Sequence, residues 1–248
     1  MSPTNGQLLE IFSSIQGEGL LIGWRQIFIR LARCNLSCSF CDTPVQPTEN
    51  CRVETTPGAG SFFVLANPVS LEVLSTLVAD WLERLPGSHH SISITGGEPL
   101  MQDRLLQEWL PVLRGLLPVH LETNGTLPEA FAPLAAHVDW VSMDIKLASQ
   151  TGVPTPWLEH ERFLSLAAER GCCVKAVVGA DTPLEEVCQA AELVQRAAPC
   201  APLILQPRTL DGRVPMAAAF LLRLQEQAAR IHPRVRVIPQ THSFMGLL

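Results

Sequence analysis

Short runs rich in apolar and β-branched residues alternate along the chain with longer segments whose apolar positions recur at helical spacing. That is the pattern of β/α units building a parallel sheet. Strands are predicted at Gln26–Leu31, Ser91–Thr95, Pro118–Glu122, Asp139–Asp144, Cys173–Val178, Leu203–Gln206 and Arg234–Ile238. The first long helix follows Ser70, a good N-cap, and sets Leu74, Leu77, Val78, Trp81, Leu82 and Leu85 on one stripe before Gly87 ends it. Further helices are predicted over Asp103–Leu116, Trp157–Glu169, Pro183–Ala197 and Met216–Ile231, each between two strands. No repeat or linker divides the chain, so residues 1–248 read as one domain. Val45–Pro68 breaks the alternation: it is rich in Pro and Gly, lacks a period and is long for a βα connection, and so reads as an elaborated loop near a site. Two architectures remain, an open doubly wound sheet and an incomplete (β/α) TIM-like barrel, and in both the ligands meet the carboxyl ends of the strands.

Composition narrows the class. With 248 residues, 47% of them hydrophobic, the chain can bury one sizeable core or two small ones. Lys plus Arg number 18 against 24 for Asp plus Glu, a net charge of -6 that argues against gripping a nucleic-acid backbone; any link to nucleic acid is indirect. The longest apolar stretch, Met216 to Leu222, is far short of the ~20 residues a membrane span needs. Met1 to Leu9 lacks a basic start followed by an apolar run, so a cytoplasmic location is expected. Eight cysteines in a chain with a good core read as thiols or metal ligands rather than disulfides. Three of them cluster within eight residues; Cys172, Cys173, Cys188 and Cys200 read as apolar packing, and Cys51 has no assigned role.

The segments that follow the strands carry the chemistry. After the first comes Cys34-Asn-Leu-Ser-Cys38-Ser-Phe40-Cys41. Three thiolates this close can hold a soft metal or three irons of a cubane cluster, whereas structural zinc usually takes four protein ligands. A zinc site completed by His or Cys51, or three buried thiols, is the alternative. The second strand runs into Gly96-Gly97-Glu98-Pro99, where glycines let backbone approach a ligand and a carboxylate can hold an ammonium group, although such turns are common in α/β folds. The third ends in Glu122-Thr-Asn124-Gly125, suited to a sugar hydroxyl or to a plain turn. The fourth ends in Asp144-Ile145-Lys146 and the sixth in Gln206-Pro207. Singly these are unremarkable; their succession at strand ends carries the weight.

Together they resemble the radical S-adenosylmethionine (SAM) superfamily, whose pattern is a C-x3-C-x-aromatic-C loop after the first barrel strand and GGE after the second. Cys34, Cys38, Phe40, Cys41 and Gly96-Gly97-Glu98 match it without substitution. The resemblance implies an α/β fold with an incomplete TIM-like barrel and a 4Fe-4S cluster on the three cysteines, whose open iron binds SAM. It also implies that Phe40, Gly97, Glu98, Asn124, Asp144, Lys146 and Gln206 hold the adenine, amino and ribose ends of that molecule. Glu10-Ile-Phe-Ser-Ser-Ile15-Gln16-Gly17-Glu18-Gly19, Phe28-Ile-Arg30, Cys41-Asp42-Thr43 and the ending Pro239-Gln240-Thr241-His242 to Leu248 are similar to the 7-carboxy-7-deazaguanine synthases of queuosine precursor biosynthesis, over nearly the whole chain. Val45 to Pro68 matches no pattern of that family.

The narrower resemblance implies a lyase that converts 6-carboxy-5,6,7,8-tetrahydropterin to 7-carboxy-7-deazaguanine with loss of ammonia, started by a 5'-deoxyadenosyl radical. Ile15, Gln16, Gly17, Glu18, Arg30, Thr95, His242 and Leu248 would contact the pterin, Leu248 through a terminal carboxylate, and Thr43 would bind Mg2+. A homodimer and an electron donor such as flavodoxin or ferredoxin are implied with it. Chemically, Gln16 and Glu18 offer acceptors and a donor to the guanine-like edge of a pterin, and Arg30 a fork for its carboxylate. The plainer readings are a polar turn for Gln16 to Glu18, a surface ion pair for Arg30, a structural imidazole for His242 and a cap hydroxyl for Thr43. Many relatives have Ser-Pro-Lys where this chain has Asp144-Ile145-Lys146, so Lys146 is the firmer assignment. The rivals are an activase of a glycyl radical enzyme and a non-catalytic iron-sulfur or zinc protein.

Overall fold

A computed structural model describes residues 5–39, 41, 43–210 and 212–247. Its strands are β1 (Leu8–Ile15), β2 (Arg25–Leu31), β3 (Asn50–Glu54), β4 (Phe62–Ala66), β5 (Ser91–Gly96), β6 (Val119–Thr123), β7 (Trp140–Ile145), β8 (Gly171–Val178), β9 (Leu203–Pro207) and β10 (Val235–Val237). Its helices are α1 (Leu71–Arg84), α2 (Asp103–Arg114), α3 (Pro128–Phe131), α4 (Ala148–Thr151), α5 (Trp157–Ala167), α6 (Leu184–Ala197), α7 (Ala218–Ile231) and α8 (Thr241–Met245). One sheet runs in the order β10-β9-β8-β7-β6-β5-β2-β1-β3-β4, and every neighbouring pair from β2 to β10 is parallel.

The period of two along these strands sorts the two faces. Ile27, Ile29, Ile92, Ile94, Leu121, Val141, Met143 and Val174 are buried outward against the helices, with the fully buried Trp81 of α1 and Trp109 of α2. The alternate positions are polar: Gln26, Ser93, Glu122, Ser142, Asp144 and Lys175. Cross-strand registers such as Glu122 with Ser142, and Asp144 with Lys175, keep them on one face. A barrel interior filled with branched apolar side chains would be a packed core. Here it is a polar cavity instead.

Two parts depart from the sequence expectation. β1 was not predicted as a strand, because Leu8–Ile15 is buried or nearly so on both faces and shows no alternation. Its Ser13 is buried through its own partners, the N–H donating to Glu54 Oε2 at 2.9 Å and the hydroxyl meeting His89 Nε2 at 2.9 Å. The expected loop Val45–Pro68 contains the β3–β4 hairpin, which extends the sheet by pairing β3 with β1. Cys51 on β3 lies in the core with burial pushing its thiol up to about 12, so it packs and does not react.

The seven-strand arc does not close on itself. The Gln16 to Trp24 connection fills the gap together with the C-terminal segment: Thr241 donates to the Gly17 carbonyl from its N–H at 2.9 Å and from Oγ1 at 3.1 Å.

Candidate active site

A cavity of about 860 Å³ occupies the arc, and most of the residues singled out from the sequence line it. At its mouth are Cys34, Cys38, Cys41 and Thr43. Cys41 is exposed, and Cys34 and Cys38 are half-buried. Ser39 fastens this loop to α4, its N–H donating to the Thr151 carbonyl at 3.2 Å and its hydroxyl to that of Gln150 at 2.7 Å. Burial pushes the Cys34 and Cys38 thiols above their ordinary range, so as free thiols they stay protonated, and a bound cation is what would make them thiolates. Among the described residues no three His, Cys, Asp or Glu side chains converge on the position of a single metal ion.

The two glycines after β5 are required by contact. A Cβ on Gly96, at φ +150°, would lie 2.2 Å from the Leu31 carbonyl oxygen, and one on Gly97 2.2 Å from that of Arg33 and 2.8 Å from Cys34 Cβ. Backbone therefore passes flush against the start of the cysteine loop. Glu98 is the exception among the expected ligands. Its carboxylate does not line the cavity; it is fully buried and accepts from Leu100 N–H (3.1 Å), Thr123 Oγ1 (2.9 Å) and Asn124 N–H (2.7 Å). Burial raises its carboxyl to about 7 against those donors. In this arrangement the carboxylate clasps three of the chain's own donors, tying the start of the Pro99 turn to the end of β6.

Asn124 makes the turn, its Oδ1 accepting from Thr126, and also lines the cavity; its Nδ2 donates to Asn35 Oδ1 at 2.9 Å, which ties β6 to the cysteine loop. Deeper in, Lys146 Nζ donates to Asp144 Oδ2 at 2.6 Å, while Asp144 Oδ1 and Gln206 Oε1 are buried with no hydrogen-bond partner among the described residues. Orphaned acceptors facing a cavity are places where a ligand's hydroxyl or ammonium protons fit.

The opposite half is built from the β1–β2 connection. Gln16 is buried with its amide engaged, Nε2 donating to Gln26 Oε1 (3.0 Å) and Glu122 Oε1 (3.1 Å) while Oε1 accepts from Glu18 N–H (3.0 Å). The Glu18 carboxylate accepts from Lys175 Nζ, Gln206 Nε2 (3.1 Å) and Gln240 Nε2 (2.8 Å). Burial would raise its carboxyl, but Lys175, Gln240 and His242 outweigh it and hold it at about 2. Arg30 does form an ion pair, with Glu10 at 2.8 Å, but lining the cavity, and among the described residues through Nε alone, which leaves its Nη groups to face a carboxylate. Ile15, Gly17, Thr95 and His242 complete the lining, and a Cβ on Gly17 would fall 2.1 Å from His242 Nδ1. Phe40 and Leu248, expected to touch SAM and pterin, lie outside the described residues.

Sequence reasoning missed Lys175, Glu122, Gln240 and His160. The signal for Lys175 was a lone cation in the otherwise apolar Cys172–Val178 run. His160 is fully buried behind the site; Lys146 N–H donates to its Nε2 at 3.2 Å, and its Nδ1 faces the Gly125 carbonyl at 3.3 Å.

Residues 28–201 match the Radical SAM superfamily. Over their full lengths the chain is 48% identical to the 7-carboxy-7-deazaguanine synthase of Geobacter sulfurreducens. It is 34% identical to that of Methanothermobacter thermautotrophicus, covering 97% of each chain. The crystal structure of QueE from Escherichia coli superposes with a TM-score of 0.59 at 21% identity, over 95% of this chain and 94% of that one. Streptococcus suis SuiB superposes with a TM-score of 0.53 at 16% identity, over 84% of this chain and 47% of that one, which speaks to fold alone.

Proposed function

The chain belongs to the radical SAM superfamily and, within it, to the 7-carboxy-7-deazaguanine synthases, and from that membership we infer that it converts 6-carboxy-5,6,7,8-tetrahydropterin to 7-carboxy-7-deazaguanine with release of ammonia. The observation that carries this is 48% identity sustained from end to end of both chains. When bound, a 4Fe-4S cluster and SAM would supply the radical chemistry that opens the ring contraction. The work of the chain is to hold the reactants in register and exclude water.

Cys34, Cys38 and Cys41 are assigned to three irons. Gly97 offers backbone to the methionine end of SAM, and Asn124, Asp144, Lys146 and Gln206 surround its polar groups; Asp144 Oδ1 and Gln206 Oε1, without hydrogen-bond partners among the described residues, supply acceptors. Glu98 acts at one remove, by fixing the backbone on either side. Glu18 accepts from the donor edge of the pterin, Gln16 steadies Glu18, Arg30 receives the carboxylate, and Thr95 and His242 wall the pocket. Thr43, beside the cysteine loop, is assigned to Mg2+, an ion satisfied by few protein oxygens when substrate and water supply the rest. The exposed Cys41 side is where a small reduced protein such as flavodoxin or ferredoxin would deliver an electron. The apolar edge of β4, with Phe63 and Val64 exposed, offers a second copy a surface for a homodimer. The described residues contain no helix long and apolar enough to cross a membrane.

Reductive cleavage of SAM, measured with and without the carboxypterin, tests the function. Steady release of 5'-deoxyadenosine that rises with pterin is expected; cleavage indifferent to pterin would sink the reading.

A further inference from the structure

Lys175 projects from the middle of β8 into the cavity and is bound at both ends of its reach. Its ammonium donates to Glu18 Oε2 and stands 3.7 Å from Asp144 Oδ2. The second contact matters because Asp144 is the partner of Lys146 at 2.6 Å, and its other oxygen has no hydrogen-bond partner among the described residues. Four charges thus alternate in sign across the cavity, Glu18, Lys175, Asp144 and Lys146, with Glu122 of β6 and His242 of α8 acting electrostatically on the near end. No other cation pairs with Glu18 among the described residues.

We propose that Lys175 is a positioning residue for this reaction, holding the Glu18 carboxylate in the geometry that receives the pterin edge and linking it to the Asp144–Lys146 pair of the cofactor half. The inference rests on the proposed function and deepens it. Glu18 sits on a connection rather than a strand, so its aim has to come from its partners, and of the three only Lys175 is charged. The rigid strand under Lys175 fixes the ammonium, and through it the carboxylate. Without the ammonium, a mostly enclosed carboxylate keeps only the Gln206 and Gln240 donors and the more distant His242 against burial, and takes up a proton more readily. A protonated Glu18 would offer the pterin a donor where it needs an acceptor. Lys175 also reaches Asp144 with little movement, so pterin can take one Glu18 oxygen while the ammonium keeps a partner.

The test uses the reconstituted holoenzyme and its Lys175→Met and Lys175→Arg variants, with kcat and KM for the carboxypterin and its calorimetric Kd followed from mildly acid to mildly alkaline pH. Wild-type KM and Kd should show no Glu18 titration in that range. Lys175→Met should raise both at least about tenfold near neutrality, with part of the loss recovered as pH rises and Glu18 ionises. Lys175→Arg, which keeps the charge, should recover most of the affinity and flatten the profile. Should Lys175→Met fail to fold, the double variant Glu18→Gln/Lys175→Met removes the stranded charge; it should fold and bind pterin no worse than Glu18→Gln alone. Wild-type-like, pH-flat pterin binding in Lys175→Met would overturn the inference and leave the function standing, as would a double variant that binds markedly worse than Glu18→Gln. Absence of pterin conversion by the wild type would overturn both.

Discussion

Cys34, Cys38 and Cys41 open to the cavity at its mouth and Cys173 of β8 lines it beside Ser142, whereas Cys51 of β3 is sealed in the core. Cys38→Ala should therefore lose the visible absorption of the cluster and all SAM cleavage, while Cys51→Ala keeps both and loses only a modest amount of stability. Iron content and absorption check this; a full cluster in Cys38→Ala would contradict the assignment. Arg30 offers a second contrast at this scale. Lysine could keep the contact with Glu10 but not the planar fork, so Arg30→Lys should raise KM for the carboxypterin several-fold while SAM cleavage without pterin persists. Unchanged pterin kinetics would show that Arg30 serves Glu10 alone. Residues with motif neighbours were legible in the sequence. Those whose meaning lies in a partner far along the chain were not: Lys175 acquires a role only from Glu18, 157 positions away. Glu98 gives the opposite contrast: its motif alone makes it legible, while its three donors, Leu100, Thr123 and Asn124, become visible only in the fold.

The elements that were readable are those with one wet face and one dry face. β5 to β7 alternate polar and apolar residues, and α1 carries a single stripe behind its Ser70 cap, whose hydroxyl accepts from Val73 N–H at 3.3 Å. β1 escaped because both its faces are covered, and the β3–β4 hairpin because β4 is an edge strand with exposed Phe63 and Val64 that offers no period to read. α8 is the least anchored helix at the site: none of its residues is buried, and it is held near Gly17 by Thr241. A methyl group on Gly17 would collide with His242 at 2.1 Å, so Gly17→Ala should push α8 away from the pocket. Because α8 contributes no core, the expected outcome is about a tenfold rise in pterin KM with a thermal midpoint within a few degrees of wild type. Parallel kinetics and melting curves decide it; a lowered midpoint with unchanged KM would place the role of Gly17 in folding instead.

Across the whole molecule, the polar interior makes the barrel a reaction chamber and also a source of pH sensitivity. His160 behind β7 and His89 beside β1 are both held down to about 4, by burial first and, for His89, by the Arg25 charge as well. A histidine with a folded value below its unfolded 6.5 binds fewer protons in the native state. Its contribution is therefore complete above that value and is lost as pH falls towards the folded one. From about pH 7 to about pH 5, His160 alone should cost about 2 kcal/mol. Urea midpoints should fall less steeply over that span in His160→Gln than in wild type, and superimposable slopes would contradict the assignment. The order of strands and the end of the barrel that carries the chemistry follow from alternation and from motifs placed after strands. The way the open arc is sealed does not, because it depends on residues 16 to 24 meeting residues 240 to 242.

The most direct test is the reaction itself, carried out anaerobically with reconstituted protein, SAM, a reductant, Mg2+ and 6-carboxy-5,6,7,8-tetrahydropterin. Mass spectrometry should find 7-carboxy-7-deazaguanine accumulating with one equivalent of ammonia per product. SAM cleaved to 5'-deoxyadenosine while the pterin is recovered unchanged would contradict the assigned function.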